Sequence, residues 1–371
     1  MTEETRTFRS AFVALIGRPN AGKSSLLNAV LGEDLAVVTS LPQTTRKRLR
    51  GVFTDETRQI VFMDTPGMHD GKHTFNKAMV GESEDALRSG EADVVCYLVD
   101  LARDFGPEED FVAQHAQRAG VPVVVVFNKK DVCPDIDAKK SAFAHRYPQL
   151  AKARCITVAA TTREAGAELL AVLDEFLTVG PQYYPPDDLT DEGLRFFASE
   201  FVRKHIILNT REEVPHAAFV EITAYVEKPQ RHEVDATIHV ESVGQRGIIV
   251  GPKGALITRI REGAEKELKK LTGVTASIRC HIIVTPGWRD SPRFLREMGY
   301  ETERKKPSRH GGKKHDRAKG AKMGTTSPGG DKRGSDELRA SELRVTNRSS
   351  DPSVDGGSPD ATPLPEQCPP A

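Results

Sequence analysis

Apolar residues gather in short runs through the first half of the chain. Residues 12–16, 59–63, 94–99, 121–127 and 156–158 are rich in Val, Ile, Leu, Phe and Met, the mark of strands buried on both faces. Amphipathic segments separate several of them. The alternation predicts an α/β domain over 1–180, a mainly parallel sheet with helices on both faces. The stretch 180–186, Gly-Pro-Gln-Tyr-Tyr-Pro-Pro, can continue neither a helix nor a central strand, which predicts a linker over 181–190. From 191 the rhythm changes. Leu194, Phe197, Phe201 and His205 fall at helical spacing over 191–209, and 217–226 and 234–240 alternate as strands. A strongly amphipathic helix over 256–271 and a strand over 276–284 follow. The order helix, strand, strand, helix, strand predicts a compact α+β domain over 191–300. After Tyr300 the apolar periodicity stops. Residues 301–322 are crowded with Lys, Arg, His and Gly, and 324–371 are rich in Ser, Pro, Gly and Asp. Such composition cannot bury enough apolar surface to offset its ordering entropy, so 301–371 is expected to be a disordered tail.

Composition narrows the setting. The 53 basic residues balance 53 acidic ones, so any basic surface must be local. Five cysteines (Cys96, Cys133, Cys155, Cys280, Cys368) form no CxxC pair, which fits a reducing compartment better than a disulfide framework or a zinc site. Residues 1–10 hold no apolar signal-peptide core, and the longest apolar runs fall short of the roughly 20 residues a bilayer needs. A cytoplasmic protein is expected.

Three motifs carry the chemistry. Gly17, Arg18, Pro19, Asn20, Ala21, Gly22, Lys23 and Ser24 follow the first strand and open a helix at Ser25, satisfying Gly-x4-Gly-Lys-Ser in its required context. Glycine lets backbone N–H groups turn toward phosphate oxygens, and the helix N-terminus adds positive potential. Lys23 would reach the β- and γ-phosphates and the Ser24 hydroxyl would bind Mg²⁺. Asp64, Thr65, Pro66 and Gly67 end the next apolar run; an acid there can hold Mg²⁺, and the Gly67 N–H can sense the γ-phosphate. Asn128, Lys129, Lys130 and Asp131 follow the 121–127 run. Asp131, an acceptor-only carboxylate, matches the N1–H and N2 amino donors of guanine, which adenine cannot satisfy. Together these predict a GTPase using GTP/GDP and Mg²⁺. In the polar stretch 41–46 one threonine, Thr45 in preference to Thr44, would complete the Mg²⁺ shell. Met68 stands where Ras-type proteins carry the glutamine that orients water, so intrinsic hydrolysis should be slow. Asn20 either binds a monovalent cation such as K⁺ beside the phosphates or only braces the loop.

In the second domain Gly251, Pro252, Lys253 and Gly254 form a Gly-x-x-Gly loop before the 256–271 helix. In this element order it reads as the clamp of a type II KH domain on single-stranded nucleic acid.

The chain up to Tyr300 resembles the Era family of ribosome-assembly GTPases. The resemblance rests on Pro42-Gln-Thr-Thr-Arg46, Asp64-Thr-Pro-Gly-Met-His69, Lys72-His73 with Asn76-Lys77, and Tyr183-Tyr-Pro185 with Thr190-Asp191. It continues through Arg211-Glu-Glu-Val-Pro-His216, Gln245-Arg-Gly-Ile-Ile249, and Trp288-Arg-Asp290 with Leu295-Arg-Glu-Met-Gly-Tyr300. It implies a monomer that binds the 3′ end of small-subunit ribosomal RNA through its KH domain, with Arg246 and Gly247 beside the clamp, and assists small-subunit maturation. It also implies peripheral contact with the inner face of the plasma membrane. Three departures stand out. Ala159-Ala160 aligns with the family's Ser-Ala base contact. Pro252 replaces a lysine of the clamp. The tail is longer than the family pattern. Two rivals remain: a static, GDP-filled scaffold on an RNA-binding module, and a GTPase acting on transfer RNA or another RNA.

Overall fold

The computed structural model describes residues 7–39, 41, 45–68, 73–88 and 90–301. The expectations for Pro42, Gln43, Thr44, His69, Lys72 and the tail beyond Glu301 lie outside the described residues.

The first unit runs β1 (Arg9–Gly17), α1 (Lys23–Leu31), β2 (Leu49–Thr54), β3 (Arg58–Asp64), α2 (Thr74–Arg88), β4 (Val94–Asp100), α3 (Pro107–Gln117), β5 (Val123–Asn128), α4 (Ile136–Arg146), β6 (Arg154–Thr157), α5 (Arg163–Leu173) and β7 (Thr178–Val179). Its sheet order is β2-β3-β1-β4-β5-β6, with β7 also on β1. β1 pairs in parallel with β3 and β4, and β5 with β4 and β6. All five expected strands are present. Two were not expected. β2 runs antiparallel to β3 at the sheet edge, and its pattern is broken by Arg50 and Gly51. At Gly51 a Cβ would stand 2.6 Å from Leu27 Cδ1, so a larger residue there would have to displace that side chain. β7 is two exposed residues, too short to leave a pattern.

β4 is buried throughout because helices cover both faces. On one face α1 and α5 pack over Val13, Leu15 and Leu98. On the other, Val112 of α3 and Phe143 of α4 pack on Tyr97 and Phe127 of the sheet, with Phe143 5.1 Å from the Phe127 ring. The proline-rich stretch is strapped to this unit. Buried Gln59 accepts from the N–H groups of Tyr183 (2.7 Å) and Tyr184 (2.9 Å) and donates to the Tyr184 carbonyl (2.9 Å).

The second unit comprises α6 (Leu194–Asn209), α7 (Val214–Ala217), β8 (Phe219–Lys228), β9 (Arg231–Val240), α8 (Val243–Val250), α9 (Ala255–Thr272), β10 (Thr275–Val284) and α10 (Pro292–Glu297). β8 and β9 are antiparallel; β10 joins β9 in parallel. A parallel pair needs a crossover, and α8 and α9 supply it. The sequence reading had one helix between these strands where the structure has two. Two glycines inside α8 (Gly244, Gly247) masked it, although its capping box of Ser242 and Gln245 is a readable start signal.

The units are pinned together by a buried cation. The Arg46 guanidinium donates to the carbonyls of Ala218 (2.7 Å), Pro215 (3.1 Å) and His216 (3.4 Å) and lies 5.2 Å over the Phe75 ring. Burial, then the neighbouring Arg203, push its pKa down to about 9. Around it Phe75, Ala78 and Met79 of α2 pack on Phe219, Trp288, Leu295 and Tyr300 of the second unit. Arg46→Ala would strand these carbonyls and is expected to destabilise the junction by about 2 kcal/mol or more. Urea unfolding followed by fluorescence of Trp288, the one tryptophan of the chain, reads this directly because the ring is fully buried here.

Candidate functional site

β1 delivers the chain to Gly17, and α1 begins at Lys23. Between them the backbone turns through Asn20 (φ 63°) and Gly22 (φ 98°). A Cβ on Gly22 would stand 2.1 Å from Asn128 Nδ2. Only glycine allows that approach. Lys23 is buried, with Nζ on the carbonyls of Gly17 and Arg18 at 3.3 Å each. Burial lowers its pKa, opposed by the charge of Asp64.

Asp64, at the end of β3, is fully buried, and burial raises its pKa against the pull of Lys23. Its Oδ2 accepts from the hydroxyls of Ser24 (2.6 Å) and Thr45 (3.2 Å), which lie 2.9 Å from each other. Its Oδ1 is buried with no hydrogen-bond partner among the described residues. A carboxylate with one unsatisfied oxygen, flanked by two hydroxyls, is a hard-oxygen donor set that fits Mg²⁺. The placement brings together the expected trio Ser24, Thr45 and Asp64.

Beside the trio opens a cavity of about 410 Å³. Pro19, Asn20, Gly22, Lys23, Ser24, Ser25, Thr45 and Gly67 line the end nearest the loop, and Asn128, Lys129, Asp131 and Ala160 the far end. Asn128 ties the two ends: its Nδ2 donates to the Ala21 carbonyl (2.7 Å) and its Oδ1 accepts from the Ala160 N–H (2.8 Å). Lys129, at φ 68°, pairs with buried Asp100 at 2.7 Å, while Asp131 stays exposed. Gly67 packs so closely that a Cβ would stand 2.7 Å from the Pro19 backbone.

Several expected contact residues serve the frame instead. The Arg18 guanidinium points away to Glu108 (2.9 Å), Glu109 (3.2 Å) and the Asp104 carbonyl (3.1 Å), so only its backbone belongs to the loop. Met68 is buried in the core beneath α3, with its N–H on the Gly17 carbonyl at 3.1 Å. Thr65 donates to the Leu15 carbonyl (2.7 Å), Ala21 and Ala159 are buried, and Lys130 reaches toward Glu168. Pro66 presents its carbonyl to Ser83. Conversely, Val37, Val38, Thr39, Val132 and Thr161 line the cavity without having been expected. Val132 and Thr161 directly follow Asp131 and Ala160, a proximity that could have flagged them. Val37, Val38 and Thr39 carried no motif.

In the second unit Gly251 (φ 70°), Lys253 (φ 51°) and Gly254 (φ 77°) are left-handed in one tight turn between α8 and α9. Pro252 and Lys253 are exposed, as are Arg246, Gly247 and, at 66% and 49%, the apolar Val243 and Ile248 on α8. The turn therefore stands beside a solvent-facing helix surface bearing both a cation and apolar side chains.

Comparison with known proteins matches residues 12–129 to the family described as 50S ribosome-binding GTPase and residues 213–289 to the KH domain. The chain is 37% identical over 303 residues to the GTPase Era of Synechocystis sp., spanning 80% of this chain and 94% of that protein. It is also 37% identical over 297 residues to the GTPase Era of Geobacter metallireducens, spanning 79% and 98%. The chain belongs to the Era family of GTPases. Two solved Era structures share its fold at a TM-score of 0.74 and 30% identity, each covering 79% of this chain and 99% of its own. One is an Aquifex aeolicus Era variant bound to GDP and AlF4⁻, and the other is Era with MgGDPNP and nucleotides 1506–1542 of 16S ribosomal RNA. This Era-family chain is thus a GTPase with a KH domain. No helix among its described residues is long and apolar enough to cross a membrane.

Asp131 offers the sharpest test of base reading. Asp131→Asn is expected to weaken GTP by about 100-fold, since the guanine N–H donors would lose a charged acceptor. Binding of xanthosine triphosphate should improve, because the carboxamide can donate to the added carbonyl. Equilibrium titration with both nucleotides checks it.

Proposed function

We propose that the chain binds GTP with Mg²⁺ in the cavity between the 17–24 loop and Asp131, hydrolyses it slowly, and binds the 3′ end of small-subunit ribosomal RNA through its KH domain to assist small-subunit assembly and maturation. Lys23 would pair with the β- and γ-phosphates. Ser24, Thr45 and Asp64 would hold Mg²⁺, which would neutralise charge on those phosphates. The Gly67 N–H would sense the γ-phosphate, and Asp131 would read the base. The family model whose description names the 50S subunit covers only 12–129, whereas the Era structure carrying 16S ribosomal RNA aligns over 79% of this chain and includes the KH domain. That supports the small subunit as the partner.

The observation that carries the RNA reading is the exposed left-handed turn Gly251–Gly254 at the start of α9. It lets a nucleic-acid backbone approach closely, and Lys253 and Arg246 supply charge where Pro252 supplies none. The apolar Val243 and Ile248 beside them suit unstacked bases. We also place the protein in the cytoplasm as a monomer, with peripheral contact at the inner face of the plasma membrane as a further expectation of the family.

Two experiments test this. Gly251→Asp puts a Cβ, which would stand 2.7 Å from Leu256 Cβ, and a negative charge into the turn. It should abolish binding of 3′-terminal small-subunit RNA in a filter assay while GTP affinity stays at the wild-type value. Retained RNA binding would remove the clamp assignment. Water positioning is a separate matter, because Met68 is buried and cannot orient it. Asn20 lines the cavity with a left-handed backbone and is the candidate for a K⁺-assisted reaction. GTP hydrolysis should then rise when potassium replaces sodium at equal ionic strength, and Asn20→Ala should cancel the rise. A rate indifferent to the cation leaves Asn20 as a brace.

A further inference from the structure

α2 begins seven residues after Gly67 and is held from both ends. Near its C-terminal half, buried Ser83 donates to the Pro66 carbonyl at 2.8 Å, so the helix grips the residue before Gly67 directly. At its N-terminus the first helical N–H groups have no partner within the helix. The Thr74 N–H finds one in the other unit: it donates to Asp290 Oδ1 at 2.9 Å, while Asp290 Oδ2 lies 2.9 Å from His73 Nδ1. Asp290 thus does from across the domain junction what an N-cap residue usually does from within the chain segment. Its negative charge also faces the positive end of the helix dipole. The Thr74 N–H, then His73, hold the Asp290 carboxyl below its ordinary pKa, so the cap is anionic at neutral pH.

Asp290 is itself well placed. It closes the turn Trp288–Asp290, and the Trp288 indole donates to the Ala217 carbonyl at 2.8 Å and packs 5.0 Å from Phe75 of α2. The cap is therefore fixed to the same short segment that receives Arg46, the neighbour of Thr45.

We propose that Asp290 is a positioning residue for GTP hydrolysis: the KH-side carboxylate caps α2, and α2, through Ser83, sets Pro66 and Gly67 against the phosphate loop. The cap acts on the γ-phosphate end of the cavity and not on the base end, since α2 contributes nothing to the Asn128–Asp131 side. A shift of the Trp288–Asp290 turn relative to the first unit would uncap the helix and loosen Gly67, although Asp290 itself does not line the nucleotide cavity. The inference rests on the assignment of Gly67 to the γ-phosphate made above.

The test uses the full chain and steady-state GTP hydrolysis, with GDP affinity and thermal unfolding measured on the same preparations. Asp290→Ala should lower kcat about fivefold, with KM for GTP and Kd for GDP unchanged within about twofold. Asp290→Asn keeps an acceptor oxygen and should retain at least about half of the wild-type kcat. Ser83→Ala, at the other end of the same helix, should reproduce the kcat loss with GDP affinity unchanged. A purely structural role would instead lower GDP affinity together with kcat, in Asp290→Asn as well as in Asp290→Ala, and would overturn the proposal. Wild-type kcat in Asp290→Ala would overturn it while leaving the GTP site intact. Absence of hydrolysis in the wild-type chain would instead remove the reading of the site on which it rests.

Discussion

Arg46 ties the two sheets of the molecule together. Its guanidinium is held by the main-chain carbonyls of Pro215, His216 and Ala218, in and just after α7. Such carbonyls need donors when buried, and a planar guanidinium can serve several at once. The arrangement is costly to break because either side left alone is a buried unsatisfied group. Everything at the junction follows from it. Thr45 is fixed one residue away, Phe75 lies beneath the cation, and Trp288 takes the Ala217 carbonyl that Arg46 leaves.

The same logic of shared carbonyls and hydroxyls orders the cavity. Burial raises the Asp64 pKa, and Lys23, Ser24 and Thr45 oppose that rise by favouring the charged form. Burial and attraction oppose each other for Lys23 as well. Two opposite charges held out of water with one carboxylate oxygen unsatisfied make a site that is incomplete as pure protein. A divalent cation and phosphate oxygens complete it electrostatically. The far end of the cavity is tied to the 17–24 loop by Asn128, whose amide bonds both Ala21 and Ala160.

In the KH domain the constraint is conformational rather than electrostatic. Gly251, Lys253 and Gly254 adopt left-handed backbone within four residues, and α8 and α9 are locked on either side by Ile249, Ile260, Ala264 and Leu268 in the core. Lys253 bears that strain as a non-glycine residue. The turn presents Pro252 and Lys253 to solvent between two packed helices, which suits a surface that admits a nucleic-acid backbone. Nucleotide chemistry and RNA contact are thus built on separate sheets, which meet at the Arg46 junction, along α2, and where α6 and α9 approach the segment after α1 through Lys270 and Asp34 (3.0 Å).

β1, β3, β4 and β5, the phosphate loop, the Asp64 and Asn128–Asp131 motifs and the glycine turn are readable because each depends on local rules, whereas β6 is an edge strand with no fully buried residue and not the doubly covered strand its apolar run predicts. Continuous apolar runs mark doubly covered strands, and glycine marks positions that tolerate no Cβ or need positive φ. β2 and α8 escaped because Gly51, Gly244 and Gly247 break the periodicity while serving packing or turns. Arg18 and Met68 lie within or beside the motifs, but the side chains of loop residues follow their tertiary partners and not the motif. Arg18 turned to Glu108 and Glu109, and Met68 into the core. Val37, Val38 and Thr39 reach the cavity only because the segment after α1 folds back over it. No local pattern could have shown that Arg46, Asp290 and Ser83 belong to one assembly. Their partners lie 172, 216 and 17 residues away along the chain, and long-range pairing is decided by how the two cores dock.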